Sequence, residues 1–166
     1  ELLESTISFP VLVYYRSQHD NQSWLGALTA ILDTCAVMIA SDGPGTYQSR
    51  VTFAMARHAV VDICLILGAP PLTDGGDRLN DGVCTLLMES LKKAGVQIQP
   101  ETGLAKLKKT RELYEPFLNG LAKRLVVTLP PIAHPGAVSD NWQSSAWTRR
   151  AVGIYRLAQP ESDHFD

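Results

Sequence analysis

Four long runs with helical rather than strand periodicity, separated by clusters of glycine and proline, constrain this fold most. The separating segments read SDGPG (41–45), GAPPLTDGGD (68–77), GVQIQPETG (95–103) and TLPPIAHPGAVSDN (128–141), and such residues interrupt regular structure. The runs between them predict helices at about 23–40, 47–67, 79–94 and 104–127. Pro116 predicts that the last run kinks or restarts after Glu115. A fifth helix is predicted at about 141–157, with Asp140 as its N-cap.

The amino-terminal segment ISFPVLVYY is apolar and rich in β-forming residues, but Pro10 lies inside it and no partner strand is evident. Because a single strand is not stable alone, we expect an extended arm lying on the helices; a short helix after Pro10 is the alternative. The prediction is therefore an all-α fold: an irregular bundle of about five helices with an extended N-terminal arm. The arm covers 1–19, and a single domain covers 20–166.

The charge balance argues against nucleic acid as a partner, since the formal net charge is −2 and the pI is about 6.1. The charge is uneven, because residues 92–124 carry eight basic and three acidic side chains. Basic side chains of the 104–127 run lie mostly off its apolar stripe, which is typical either of a solvated face or of a face near anionic lipid headgroups. This basic face comprises Lys106, Lys108, Lys109, Arg111, Lys123 and Arg124.

No cofactor or metal is predicted. Cys35, Cys64 and Cys84 lie in apolar helical runs without a C-x-x-C pair, which favours buried reduced thiols over a disulfide or a zinc site. Phosphate-loop, nucleophile-elbow and H-E-x-x-H motifs do not occur in the sequence.

Two apolar stretches approach the length of a membrane span. Trp24–Ala40 contains Asp33, however, and Val51–Ala69 contains three further ionisable residues. Since spanning helices seldom tolerate such charges, both are expected to be buried helices of the bundle.

The predicted helix at about 23–40 has a face of small residues that includes Asp33. If this face is buried against another helix, the carboxylate of Asp33 needs a polar partner. The segment ARHAVVD on the next helix offers Arg57, His58 and Asp62. Antiparallel packing of the two helices would pair Asp33 with Arg57 or His58 in a buried polar network that fixes helix register. The alternative interpretation is a metal or proton-transfer site formed by Asp33, His58 and Asp62.

The stretches FPVLVYYRSQHDNQSWLGALTAILDTCAVMIA (9–40) and RVTFAMARHAVVDICLILGAPP (50–71) resemble the cytoplasmic region that follows the pore in bacterial two-transmembrane, potassium-channel-like proteins. The resemblance covers most of the first 71 residues and continues more loosely through WQSSAWTRRAVGIYRL (142–157). It implies a non-catalytic cytoplasmic domain that follows a membrane pore and acts in assembly or gating. Its implied partners are that pore region, sister subunits and anionic lipid headgroups at the inner face of the cell membrane.

The chain begins at Glu1 without an initiator methionine or a signal peptide, and we expect it to be a piece of a longer protein. The filter loop of a potassium channel does not occur in it. Two other functions stay open beside the channel-like one: a helical enzyme that uses Asp33, His58 and Asp62, and a helical adaptor that binds a partner through the amino-terminal arm.

Overall fold

A computed structural model describes residues 2–14 and 23–133 of the chain. These residues belong to one compact unit, Glu1–Gly136. They form six α-helices: α1 (Leu2–Ser8), α2 (Trp24–Ser41), α3 (Thr46–Leu67), α4 (Asp81–Lys93), α5 (Thr102–Glu112) and α6 (Glu115–Leu125). A 3₁₀ helix (Pro10–Tyr14) follows α1, and no strand occurs in the described ranges. The all-α prediction is confirmed, whereas the predicted helix at 141–157 lies outside the described residues.

The amino-terminal segment is helical, so the prediction of an extended arm was wrong. The hydroxyls of Ser5 and Thr6 donate to the carbonyl oxygen of Leu2 at 2.9 and 2.8 Å, within the first turns of α1. Pro10 stands at the first position of the 3₁₀ helix, where its missing N–H leaves no bond unmade. α1 packs against α3, and the indole Nε1 of Trp24 donates to the carbonyl of Val13 at 3.0 Å. The predicted boundary between residues 19 and 20 lies outside the described residues.

Helix ends follow local signals close to the predicted positions. Ser23 caps α2 by accepting from the backbone N–H of Gly26 at 2.9 Å, and Asn80 caps α4 by accepting from Val83 at 3.0 Å. Gly68 ends α3 in the left-handed region, as expected of a glycine stop. The run predicted at 104–127 is two helices, because the chain restarts at Glu115 with Pro116 in the first turn of α6.

α2 is the central helix of the bundle, and α5 and α6 follow it in the opposite direction. Near the end of α2, Asp42 accepts from Lys106 of α5. At mid-helix, Asp33 accepts from Tyr114 at the α5–α6 junction. At the start of α2, Leu25 lines one cavity together with Leu125 of α6. The break between α5 and α6 therefore lies beside the middle of α2, at Asp33.

α2 is the one helix in the described ranges that is long and apolar enough to cross a membrane, with 18 residues and a mean hydropathy of 1.6. In this fold it packs on α3, α5 and α6. Leu32 and Ala36 are fully buried, and Asp33 in the same helix has its own polar partners. Its apolar composition is thus accounted for by its place in the core. The second stretch of near-membrane length forms α3, whose outer face is exposed at Met55 and Leu65.

Gly120 of α6 allows a close crossing by the loop that leaves α3. A Cβ at this position would overlap the carbonyl oxygen of Pro70 and lie 3.1 Å from its carbonyl carbon, both backbone atoms that cannot rotate away. We predict that Gly120→Ala lowers the free energy of unfolding by about 1–3 kcal/mol in urea melts, despite the higher helix propensity of alanine.

The matched control is Gly82→Ala in α4, where the nearest atom to a new Cβ is Asn80 Oδ1 at an ordinary 3.5 Å. This substitution should be neutral or stabilising by up to about 1 kcal/mol. Equal effects at the two glycines would contradict the close crossing at Pro70.

Candidate functional site: a buried ionic cluster at Arg78

The side chain of Arg78, from the loop between α3 and α4, enters the interior and joins three separate parts of the bundle. Its Nη1 and Nη2 donate to the two carboxylate oxygens of Asp33 in α2 at 2.9 and 3.1 Å. Its Nε and Nη2 donate to the two carboxylate oxygens of Glu115 in α6 at 2.7 and 2.8 Å. Nη1 also donates to the carbonyl oxygen of Pro130 at 2.8 Å. The guanidinium thus holds two bidentate carboxylates, the strongest geometry for such a pair.

Tyr114 completes the cluster from the junction between α5 and α6. Its phenol donates to Asp33 Oδ1 at 2.6 Å, and its ring is fully buried. The ring meets that of Phe53 in α3 edge to face, with centroids 5.7 Å apart and planes at 75°, a favourable aromatic arrangement. Tyr114 therefore links the ionic cluster to the apolar core.

A second arginine, Arg111 of α5, lies on the outer side of Glu115. Its Nη1 donates to Asp77 Oδ1 at 3.2 Å, and its Nη2 lies 3.1 Å from Glu115 Oε1 without hydrogen-bond alignment. Arg111 also lines a cavity of about 460 Å³, together with Lys108, Glu112 and Asn119. The cluster consequently contains two cations and three carboxylates, counting the exposed Asp77.

The protonation of the cluster follows from burial and from these bonds. Burial alone would lower the pKa of Arg78, but its hydrogen bonds to Glu115 and Asp33 hold that pKa above its ordinary value, so the guanidinium stays charged. Burial raises the pKa of the Tyr114 phenol well above its ordinary value, and the charge and hydrogen bond of Asp33 act in the same direction. The bond from the backbone N–H of Leu79 lowers the pKa of Asp77.

The ionic cluster is suited to holding helices and loops together rather than to catalysis or metal binding. Arg78 occupies both oxygens of Asp33 and both oxygens of Glu115, and Tyr114 adds a further donor to Asp33. A proton-transfer or metal site needs a carboxylate oxygen that is open to substrate or ion. In the described part of the chain, no three His, Cys, Asp or Glu side chains are grouped as a metal site requires.

The predicted buried polar network comprised Asp33, Arg57, His58 and Asp62. Asp33 is buried as expected, but the partners predicted for it were wrong. Asp33 pairs with Arg78, whereas Arg57 donates through Nε to the carbonyl oxygen of Leu113 at 2.8 Å. His58 Nε2 lies 3.2 Å from Asp62 Oδ2 on the outer face of α3, with 77% of the His58 side chain exposed. Since Asp33 bonds Arg78 while His58 and Asp62 pair with each other, the three-residue site proposed for an enzyme does not assemble.

The predicted basic face is divided by the fold. Arg111 is buried in the ionic cluster, so its place on an exposed face was wrong. Lys106 is half-buried and donates to Asp42 at 2.7 Å. Lys108 and Lys109 are exposed on α5, and Lys123 and Arg124 are exposed in the last turn of α6. The break at Glu115 places these two exposed pairs on different helices.

Burial also sets the state of the cysteines. All three are free thiols, with Cys35 and Cys64 buried and Cys84 half-buried. Burial raises the pKa of Cys64 to about 11, and its thiol lies 3.5 Å from the carbonyl oxygen of Phe117. Cys64 is therefore a packing residue rather than a nucleophile at neutral pH.

The raised pKa of Tyr114 predicts a loss of stability at alkaline pH. Because the phenol stays neutral in the folded protein but ionises near its ordinary pKa of 10 when unfolded, its contribution is complete below pH 10 and declines above it. Between pH 9 and 11 the free energy of unfolding should fall by about 1.4 kcal/mol on account of this group.

Urea melts of the wild type and of Tyr114→Phe at these two pH values test the effect. The decline should be smaller by about that amount in Tyr114→Phe, although this variant starts from a lower stability at neutral pH. Parallel declines in the two proteins would show that Tyr114 ionises as readily folded as unfolded.

Sequence reasoning missed Arg78, Glu115 and Arg111 as members of the cluster. One signal was present: Arg78 is the only basic residue in the acidic loop DGGDRLNDG (74–82). Another was the i, i+4 spacing of Arg111 and Glu115, which places both on one side of the α5–α6 junction. Comparison of the chain with protein-family models, with curated proteins and with solved structures finds no match.

Proposed function

We propose that this chain is a non-catalytic, cytoplasmic all-α domain of a potassium-channel-like membrane protein and that it acts in assembly or gating. The resemblance of segments 9–40 and 50–71 supports the channel-like assignment. The observation that carries the non-catalytic role is the closure of the ionic cluster, since Arg78 and Tyr114 occupy the carboxylate oxygens of Asp33 and Glu115.

A domain of this kind has to transmit force between its ends rather than expose a reactive group. The cluster joins α2, the α3–α4 loop, the α5–α6 junction and the segment at Pro130. Such a rigid connection is what lets a domain move as one body when a channel changes state. The amino-terminal helix, which the resemblance places next to the pore, packs against α3 of the same compact unit.

The test uses the full-length protein that contains this chain, purified from membranes and reconstituted into lipid vesicles. Under the proposal the vesicles conduct K⁺, and removal of residues 1–166 changes either the subunit number or the K⁺ flux for a given amount of protein. Flux and subunit number that do not change on this deletion would contradict a role in assembly or gating.

The apolar surface of the amino terminus favours a second candidate, a helical adaptor. Ile7, Phe9 and Val11 are each more than 60% exposed, and clustered exposed apolar side chains mark interaction surfaces. An adaptor would have no pore in its reading frame and would bind a soluble partner through this surface. The same full-length preparation separates the candidates, because an adaptor fractionates with the soluble proteins.

A further inference from the structure

A cluster of exposed apolar side chains lies at the amino-terminal end of the described chain. Between Ile7 and Tyr14, five of eight residues are large, apolar and exposed: Ile7 61%, Phe9 63%, Val11 61%, Leu12 47% and Tyr14 48%. Single exposed apolar residues are ordinary on a protein surface, but five of them within eight residues are unusual. No acidic side chain occurs from Ser5 to Tyr14.

This apolar segment lies against the end of α6. Val13 and Tyr14 of the 3₁₀ helix line a small cavity together with Leu125 and Val127. The 3₁₀ helix has five residues at about 2 Å rise each, so the whole segment from Phe9 to Tyr14 lies within roughly 10 Å. The exposed cations Lys123 and Arg124 immediately precede Leu125. Apolar and cationic side chains are therefore neighbours at this end of the bundle.

The other exposed basic pair of the α5–α6 run lies elsewhere. Lys108 and Lys109 follow Lys106, which bonds Asp42 beyond the opposite end of α2. Fourteen residues separate Lys109 from Lys123, which corresponds to about 20 Å along the helices. Of these two pairs, the α6 pair is the one that immediately precedes a residue lining a cavity with the apolar segment.

We propose that the segment Phe9–Tyr14 and the last turn of α6 form one surface that binds an anionic lipid bilayer. Phe9, Val11 and Leu12 enter the boundary between headgroups and acyl chains, and Lys123 and Arg124 contact headgroup phosphates. Exposed apolar residues beside cations, with acidic residues missing from the apolar segment, are the composition that binds such interfaces. This deepens the proposed function and rests on it for the presence of a membrane next to residues 9–14.

The charge complementarity selects the bilayer over a soluble apolar partner. A lipid surface with anionic headgroups attracts juxtamembrane cations with a strength of about 1 kcal/mol for each Lys or Arg. Neutralising two cations should then weaken binding by roughly thirtyfold, whereas a purely apolar contact would change little.

The experiment measures co-sedimentation of the 166-residue chain with vesicles of phosphatidylcholine, with and without phosphatidylglycerol. We expect binding to strengthen with phosphatidylglycerol and to weaken by roughly thirtyfold in Lys123→Gln/Arg124→Gln. The matched control Lys108→Gln/Lys109→Gln removes the same charge from α5 and should change binding by less than about twofold. Phe9→Ser/Leu12→Ser should weaken binding to both kinds of vesicle.

Each variant is first compared with the wild type by thermal melting, and the exposed positions chosen predict unchanged melts. Equal weakening by the two charge variants would overturn the proposal, because it would show general electrostatics rather than this surface. Binding that does not depend on phosphatidylglycerol would overturn it too. A dimer in sedimentation equilibrium that Phe9→Ser/Leu12→Ser dissociates would assign the surface to a second copy instead. These outcomes would contradict only the lipid-binding surface and not the channel-like function, which the reading frame upstream of Glu1 tests separately.

Discussion

Replacing Arg78 with methionine should lower the free energy of unfolding by about 3–5 kcal/mol, as expected when one partner of a buried ion pair is removed. Methionine keeps an unbranched apolar stem but removes the guanidinium that bonds Asp33 and Glu115. The largely buried Asp33 would then have no cation, and Glu115 would keep only its ion pair with Arg111. Urea denaturation followed by far-UV circular dichroism measures the change.

Two comparisons separate this mechanism from a general loss of packing. Arg124→Met, on the exposed last turn of α6, should change stability by no more than about 0.5 kcal/mol. Adding Asp33→Asn and Glu115→Gln to Arg78→Met should recover at least half of the loss, because the carboxylate charges that Arg78 no longer compensates are gone. A loss below about 1 kcal/mol in Arg78→Met would place the cluster in solvent and contradict its structural role.

Tyr114→Ala should lower the free energy of unfolding by about 3–5 kcal/mol, the usual range for removal of a buried aromatic side chain. The ring is fully buried and meets Phe53 edge to face. Tyr114→Phe keeps this contact and loses only the bond to Asp33, so its loss should be about 1–2 kcal/mol. Urea melts of both variants provide the measurement.

Tyr47→Ala is the matched control, since this tyrosine of α3 is 79% exposed and its replacement should cost no more than about 0.5 kcal/mol. Equal losses in Tyr114→Ala and Tyr114→Phe would show that the hydroxyl alone stabilises this junction and would contradict the packing of the ring. The pair of variants therefore assigns separate contributions to the ionic and the apolar parts of the cluster.

Periodicity predicted most of the helical fold because long amphipathic runs satisfy their own backbone bonds. The limits of α2 and α3 fell within one or two residues of the prediction, and Pro116 marked the restart that separates α5 from α6. The amino terminus was misassigned because ISFPVLVYY has no 3.6-residue period and its apolar composition suggested a strand. What makes it helical is tertiary: the packing of α1 on α3 and the bond from Trp24 to Val13.

The burial of Asp33 could be predicted from the sequence, but its partner could not, because the two residues lie far apart along the chain. That Asp33 is buried and needs a partner follows from its apolar helix. Its partner is 45 residues away in a loop whose acidic and glycine residues suggested only a turn and a helix cap. Arg57 and His58 were nearer in sequence, but Arg57 bonds the carbonyl oxygen of Leu113 and His58 pairs with Asp62. No pattern in one sequence specifies which arginine crosses the bundle.

These contacts place a rigid ionic cluster at the centre of the bundle and an apolar, cation-flanked surface at the amino-terminal end. A cytoplasmic domain joined to a pore would need both: a body that moves as one unit and a face that adjoins the membrane. The two features are on different residues, so Arg78→Met and Lys123→Gln/Arg124→Gln should affect stability and lipid binding independently.

Sequencing the reading frame upstream of the codon for Glu1 tests the proposal that this chain is a cytoplasmic domain that follows a membrane pore. We expect two apolar stretches of about 20 residues each, with a TVGYG-type filter loop between them, ending shortly before Glu1. An upstream frame that encodes no apolar stretch of this length would contradict the channel-like function.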